Sequence, residues 1–299
     1  MPQFSPKYAP LTAFVAPALG RTQLWRTVAG LALTAVLYIL ALQLINATLL
    51  TALGPTPAMA TLRDIATGAT PLGLVGLLFT YLPLSIGLGL ATMLILKRDF
   101  SSLIGPIAPA WQCFLWVALP LLALWVAMMP LQIRAPNVNR HLELWAMLQW
   151  LPLALPGLLV QTGTEELLFR GYLQQQLGAR WRSPWVWMVL PSVLFGALHW
   201  APETYGPLAP LVTAWAVAFG LVAADLTART GNLGAAVGLH FANNAQSLFL
   251  VGLYGNLHGL SLYTVVLPMT DTMAQLPYIA VDSAALLVSW LIARVVLRV

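Results

Sequence analysis

Residues 145–174 read WAMLQWLPLALPGLLVQTGTEELLFRGYLQ. Their first half is an apolar run, long enough as helix to cross a hydrocarbon core of about 30 Å at ~1.5 Å per residue. The run ends on Glu165, Glu166 and Arg170, in a chain where only 8% of residues are charged. Charges at the end of a lipid-spanning helix are costly, so their presence asks for a partner or a task.

The rest of the chain repeats the apolar half of that pattern. Of 299 residues 60% are hydrophobic and only nine are acidic, which leaves too few charges to solvate a soluble domain of this length. Apolar segments recur near 27–50, 72–96, 110–132, 145–168, 184–200, 208–228, 233–253 and 275–296. None shows the sustained alternation of a β-barrel, so the backbone must be satisfied within helices. The sequence therefore predicts an all-α, polytopic membrane bundle of about eight transmembrane helices, with both termini on one side. Basic residues assign that side to the cytoplasm. Lys7, Arg21, Arg26, Lys97, Arg98, Arg170, Arg180, Arg182, Arg229, Arg294 and Arg298 fall inside or near that face, against Arg63, Arg134 and Arg140 outside. The net charge of +5 is scattered at the ends of apolar runs rather than clustered, which excludes a nucleic-acid partner and fits a lipid bilayer. Many of the twelve tryptophans cluster at span ends, as an interfacial belt does.

Three polar clusters lie in the C-terminal half: Glu165-Glu166-Leu-Leu-Phe-Arg170, Phe195-Gly-Ala-Leu-His199 and His240-Phe-Ala-Asn-Asn244. Glu166 and Arg170 are four apart with the acid first, the favourable order for an ion pair on one helix face. Glu165 lies about 100° around the helix and is free to face something else. Glu166–Arg170 then reads as an orienting pair and Glu165 as a candidate base. Glu165 is 15 residues before Arg180 and His199 is 17 after Arg182, so a hairpin turning at that basic loop sets them at similar depth. His240 and Asn244 share a face one turn apart, with Ser247 a further turn along. A carboxylate and an imidazole beside one water form a general-base pair, and a His with an Asn can donate to an oxyanion. These groups suffice for peptide hydrolysis by activated water. Each cluster alone also reads as an interhelical hydrogen bond or a structural ion pair.

Other polar residues carry blander readings. Asp225 has Arg229 four residues on and reads as a structural pair; His141, His258 and Glu203 fall in loops and read as solvated. Cys113 is single, so no intrachain disulfide forms. The stretch 11–19 is too short and proline-broken to span; Arg21 and Arg26 behind it make it a cytoplasmic lead-in rather than a cleaved signal. The connections near 54–70, 97–109, 133–144 and 254–274 read as ordinary loops.

The ordered trio EExxxR (165–170), FxxxH (195–199) and HxxxN (240–244) resembles the type II CAAX prenyl protease and bacteriocin-processing family, also called CPBP or Abi. The resemblance covers about 145–250 and no motif position departs from the pattern. It divides the chain into N-terminal transmembrane helices (1–144), a protease-like core (145–250) and a C-terminal loop and helix (251–299). It implies an intramembrane endopeptidase, in which Glu165 and His199 activate the attacking water. His240 and Asn244 would form the oxyanion site, and Glu166 and Arg170 would support Glu165. The expected substrate is a peptide or membrane protein, lipidated in the case of true CAAX processing, and the expected setting a prokaryotic inner or plasma membrane. Glu165, His199 and His240 could supply three zinc ligands, but no HExxH occurs and a glutamate-type, metal-independent mechanism with no cofactor is the expectation. The competing classes are a non-catalytic bacteriocin immunity or scaffold protein, and a proton or small-solute transporter using the same residues as a relay. The transporter lacks repeated halves with matching broken helices.

Overall fold

The computed structural model describes residues 4–267 and 272–299. Among the described residues six helices are long and apolar enough to cross a membrane: Leu24–Leu53, Pro71–Ile95, Ile107–Gln132, Leu144–Arg180, Pro202–Thr230 and Gln275–Leu297. The other two apolar segments form shorter helices. Trp185–Ala197 ends before the HWAP turn, where Pro202 keeps Ala201 out of helical backbone (φ −135°, ψ 73°). Gly234–Ala245 continues only through Gln246–Leu250 before Val251 turns extended. All eight expected segments are thus helical in part, but two of them lack the length to cross alone. The chain is a multi-pass helical membrane protein.

Burial is inverted relative to a water-soluble bundle. Leu24–Leu53 buries Thr27, Gly30 and Thr34, while Leu40 and Leu44 are 60% and 70% exposed. Small and weakly polar residues facing the bundle, with leucines outside, are what lipid selects. The same rule brings Gly234–Ala245 against Ile107–Gln132. A Cβ on Gly234 would stand 1.8 Å from the Ala110 carbonyl oxygen, and one on Gly238 2.7 Å from that of Phe114. Only glycine at both positions, four residues apart, permits that approach.

The helix carrying the two glutamates, Leu144–Arg180, is longer than the sequence suggests. Beyond the apolar run that ends near 168, Leu167–Gln174 continues with i→i+5 winding and Gln175–Arg180 returns to α. The tail is buried because the N-terminal segment covers it. Gln174 donates to the Ala224 carbonyl (3.0 Å), Gln175 to Phe14 (2.6 Å) and Ser102 (2.8 Å), and Gln176 to Arg21 (3.1 Å). Residues 11–19 accordingly do not trail into solvent. Helix Ala9–Val15 and the turn Ala16–Arg21 bury Leu11, Phe14 and Val15 against the bundle.

Asp225 anchors that N-terminal plug. It accepts from Tyr8 Oη (2.8 Å), Arg229 Nε (2.9 Å) and Trp290 Nε1 (2.9 Å), so the structural pair read from sequence serves two other elements as well. Burial first, and then the Asp225 bond, pushes the Tyr8 hydroxyl up to about 12, so it keeps its proton and donates throughout the neutral range. Tyr8→Phe should lower stability by about 1 kcal/mol, the net worth of one such bond, read as a fall in apparent Tm in detergent micelles.

Three of the expected loops contain more than coil. The 54–70 connection holds helix Pro55–Thr67. The 133–144 and 254–274 connections contribute β1 (Val138–Arg140) and β3 (Tyr263–Val265), which join β2 (Val251–Leu253) in the order β1-β3-β2, antiparallel then parallel. His258 is therefore not solvated. It is buried with the Tyr254 and His141 rings each 5.0 Å away, and burial, then His141, lowers its pKa. Glu203 and His141 are exposed as expected.

Candidate active site

The three polar clusters meet around one cavity of about 270 Å³. Glu165, His199, His240 and Asn244 all line it, together with Gln161, Tyr81 and Asn243; Leu74, Leu77 and Leu78 supply an apolar wall. A larger hollow of about 450 Å³ lies between the N-terminal plug and the 99–106 connection, where Asp99 is the single titratable lining residue.

Each cluster abuts a break in regular α winding. Glu166 is the last α-helical residue before the i→i+5 stretch Leu167–Gln174, Asn244 precedes the i→i+5 stretch Gln246–Leu250, and Trp185–Val189 leads into the helix carrying Phe195. Such windings widen the helix locally and recur at functional sites.

Behind the cavity wall, Glu166 and Arg170 are fully buried and paired, Nη1 to Oε1 at 3.1 Å. Arg170 Nη2 also donates to the Gly220 carbonyl (3.0 Å), and its guanidinium lies over the Phe195 ring at 4.8 Å. The pair does not touch Glu165 through a hydrogen bond. It reaches the site through His240 instead: Glu166 Oε1 accepts from His240 Nδ1 at 2.8 Å. That bond places the Nδ1 proton on the Glu166 side and turns Nε2 toward Glu165 Oε2, 3.6 Å away. The Phe219 ring stands edge-on to His240 at 4.8 Å and fixes its plane.

Glu165 is 14% exposed at its side chain and is held from one oxygen only. Gln161 Nε2 donates to Oε1 at 2.8 Å, while Oε2 has no hydrogen-bond partner among the described residues. His199 lies just past its helix, exposed on the cavity rim, with Nδ1 on the Phe195 carbonyl at 2.8 Å. A carbonyl only accepts, so Nδ1 carries the proton and the neutral ring presents an Nε2 lone pair. The FxxxH spacing thus does two things: Phe195 stacks on His199 at 4.6 Å, and its carbonyl sets the tautomer. Asn244 Nδ2 donates to Gln161 Oε1 at 3.0 Å, and Asn243 donates to Asn244 Oδ1 at 3.3 Å.

Gln161, Tyr81 and Asn243 were not singled out from sequence. Gln161 carries a usable signal, an amide one helical turn before Glu165 inside an apolar run. Tyr81, whose hydroxyl interacts with Glu165 and Gln161, carries none. The zinc set fares differently. Among the described residues no three His, Cys, Asp or Glu side chains are grouped to hold a metal ion, and the Glu166 bond leaves Nε2 as the open ring nitrogen of His240.

The model of the Rce1-like family, type II CAAX prenyl endopeptidase, matches residues 147–246, which contain all three clusters. The uncharacterized protein YyaK of Bacillus subtilis (strain 168) is 30% identical over 242 residues, 78% of this chain and 80% of the relative. No solved structure matches the chain. With the matched region holding Glu165, His199, His240 and Asn244, and with similarity to YyaK running far beyond it, this chain belongs to the Rce1-like, type II CAAX prenyl endopeptidase family.

Proposed function

We propose that the protein is a membrane-embedded endopeptidase that hydrolyses peptide bonds with a water activated by Glu165 and His199. The observation that carries this reading is Glu165 Oε2, a carboxylate oxygen with no hydrogen-bond partner among the described residues, on a cavity wall shared with His199, His240 and Asn244. A water between Glu165 Oε2 and His199 Nε2 loses a proton to the carboxylate as its oxygen attacks the scissile carbonyl. The oxyanion that forms accepts from the Asn244 amide and, when His240 carries both protons, from its Nε2–H. Glu165 then returns the proton to the departing amine. Glu166 and Arg170 act behind this set, holding His240 in register.

The substrate class follows from the wall opposite. Leu74, Leu77 and Leu78 suit an apolar peptide segment of a membrane-associated protein, and a lipidated one is compatible with the family's description. The Bacillus relative supports a prokaryotic plasma membrane as the setting. No step requires a metal.

The test is cleavage of a membrane-anchored peptide by purified protein in lipid vesicles. Wild type should cleave with or without chelator, and Glu165→Ala and His199→Ala should not. Cleavage surviving both substitutions sinks the assignment. Loss on chelation with recovery on adding zinc overturns the metal-independent mechanism. A proton or solute flux abolished by the same substitutions, with no cleavage in wild type, favours a relay.

A further inference from the structure

Gln161 is 8% exposed on the cavity wall and has no part in the steps above. It sits one turn before Glu165 and uses both ends of its amide: Nε2 donates to Glu165 Oε1 (2.8 Å) and Oε1 accepts from Asn244 Nδ2 (3.0 Å). Asn244 Oδ1 in turn accepts from Asn243 Nδ2 (3.3 Å). The three amides are therefore aligned head to tail, each donating toward Glu165. The carboxylate dictates that polarity. An ionised carboxylate only accepts, so it draws the amide nitrogen of Gln161 to itself and leaves the oxygen for Asn244. Asn244 must then present its nitrogen to Gln161 and its oxygen to Asn243. One charge thereby fixes the orientation of amides on two helices, and each bond in the chain polarises the next.

We propose that Gln161 is a positioning residue that couples the base to the oxyanion donor. It holds Glu165 by Oε1, leaving Oε2 for water. It also fixes which end of Asn244 faces the substrate side, leaving the second N–H of that nitrogen for the attacked carbonyl. This rests on the peptidase reading above. Protonation of Glu165 removes the constraint that orders the chain, so base and oxyanion donor disengage together. The titratable or charged groups facing Glu165 are His240 on the Gly234–Ala245 helix, Tyr81 on Pro71–Ile95, Glu166 and Arg170 on its own helix, and His199 and Tyr205 across the cavity.

The experiment compares Gln161→Met and Gln161→Glu with wild type in the vesicle cleavage assay, per folded molecule, across pH. Met keeps the length of the side chain and removes both bonds. Glu keeps the acceptor for Asn244 and, when ionised, cannot donate to Glu165. For Gln161→Met, kcat should fall roughly 10²-fold, as expected for misplaced catalytic groups, with KM little changed and the acid limb of the pH–rate profile moved to higher pH. Gln161→Glu should be at least as impaired at neutral pH. Because Gln161 acts through Asn244, Gln161→Met and Asn244→Ala should be strongly non-additive. A purely structural Gln161 would lower the yield of folded protein while each folded molecule kept the wild-type kcat and pH profile; that result, or additive effects with Asn244→Ala, overturns the proposal. Glu165→Gln separates the two readings. If it cleaves normally, Glu165 is not the base and the mechanism on which the coupling rests fails; if it is inactive while Gln161→Met behaves as wild type, only the coupling role fails.

Discussion

Glu165→Gln should abolish measurable cleavage while leaving the protein folded, with kcat down by roughly 10⁴-fold, the upper end of what a general base supplies. That corresponds to about 5.4 kcal/mol of transition-state stabilisation. The substitution is nearly isosteric, and a glutamine at 165 still offers its oxygen to Gln161 Nε2, so the bond that holds the side chain survives. What it lacks is the second carboxylate oxygen, the one without a partner, because an amide nitrogen cannot accept the water's proton. The substitution leaves the leucine wall of the cavity intact, so KM should change little and the loss should appear in kcat. His199→Ala should be milder, since it removes one of two groups holding the water. Single-turnover cleavage in vesicles separates the cases. Glu165→Gln within tenfold of wild type would place the base elsewhere in the cavity.

Much of this site was legible because charge in an apolar chain is conspicuous. Helical angle alone separated Glu165 from the Glu166–Arg170 pair, and the structure shows that pair at 3.1 Å with Glu165 held elsewhere. Counting residues from the basic turn set Glu165 and His199 at one depth, and both line one cavity. The contact between Glu166 and His240 was not legible, because it depends on how two helices 74 residues apart cross. Gly234 and Gly238 seat the His240 helix against Ile107–Gln132, and their spacing in the sequence does not say which helix they meet. The neutral amides escaped notice for the opposite reason to the charges: a glutamine costs less in lipid and raises no electrostatic alarm. Helix length was misjudged where polarity and burial part company. RGYLQQQ reads as an interfacial end, yet backbone carbonyls of the N-terminal plug and the 100–103 turn satisfy its amides and keep it inside.

Arg170→Met should be the most destabilising single change around the site, by about 3–5 kcal/mol, because it strands Glu166 as a buried carboxylate. Both side chains are essentially inaccessible, at 1% and 0% exposure, so solvent offers no replacement partner. Glu166 Oε1 would keep only His240, and Oε2 already has no partner among the described residues. The methionine fills most of the stem volume, so the loss is electrostatic rather than a cavity. Glu166→Gln should cost a similar amount, since it leaves a guanidinium buried between Phe195 and the Gly220 carbonyl without its counter-charge. The double substitution Glu166→Gln with Arg170→Met removes both charges and should recover much of the stability, because a buried ion pair offsets its own desolvation only in part. Unfolding in detergent micelles measures all three. Activity should not recover with stability: in the double variant His240 Nδ1 faces an amide rather than a carboxylate, and cleavage should stay low in protein that is fully folded. A double variant no more stable than either single one would mean that shape, not charge, holds this corner together, and an Arg170→Met protein as stable as wild type would remove the ion pair from the account altogether.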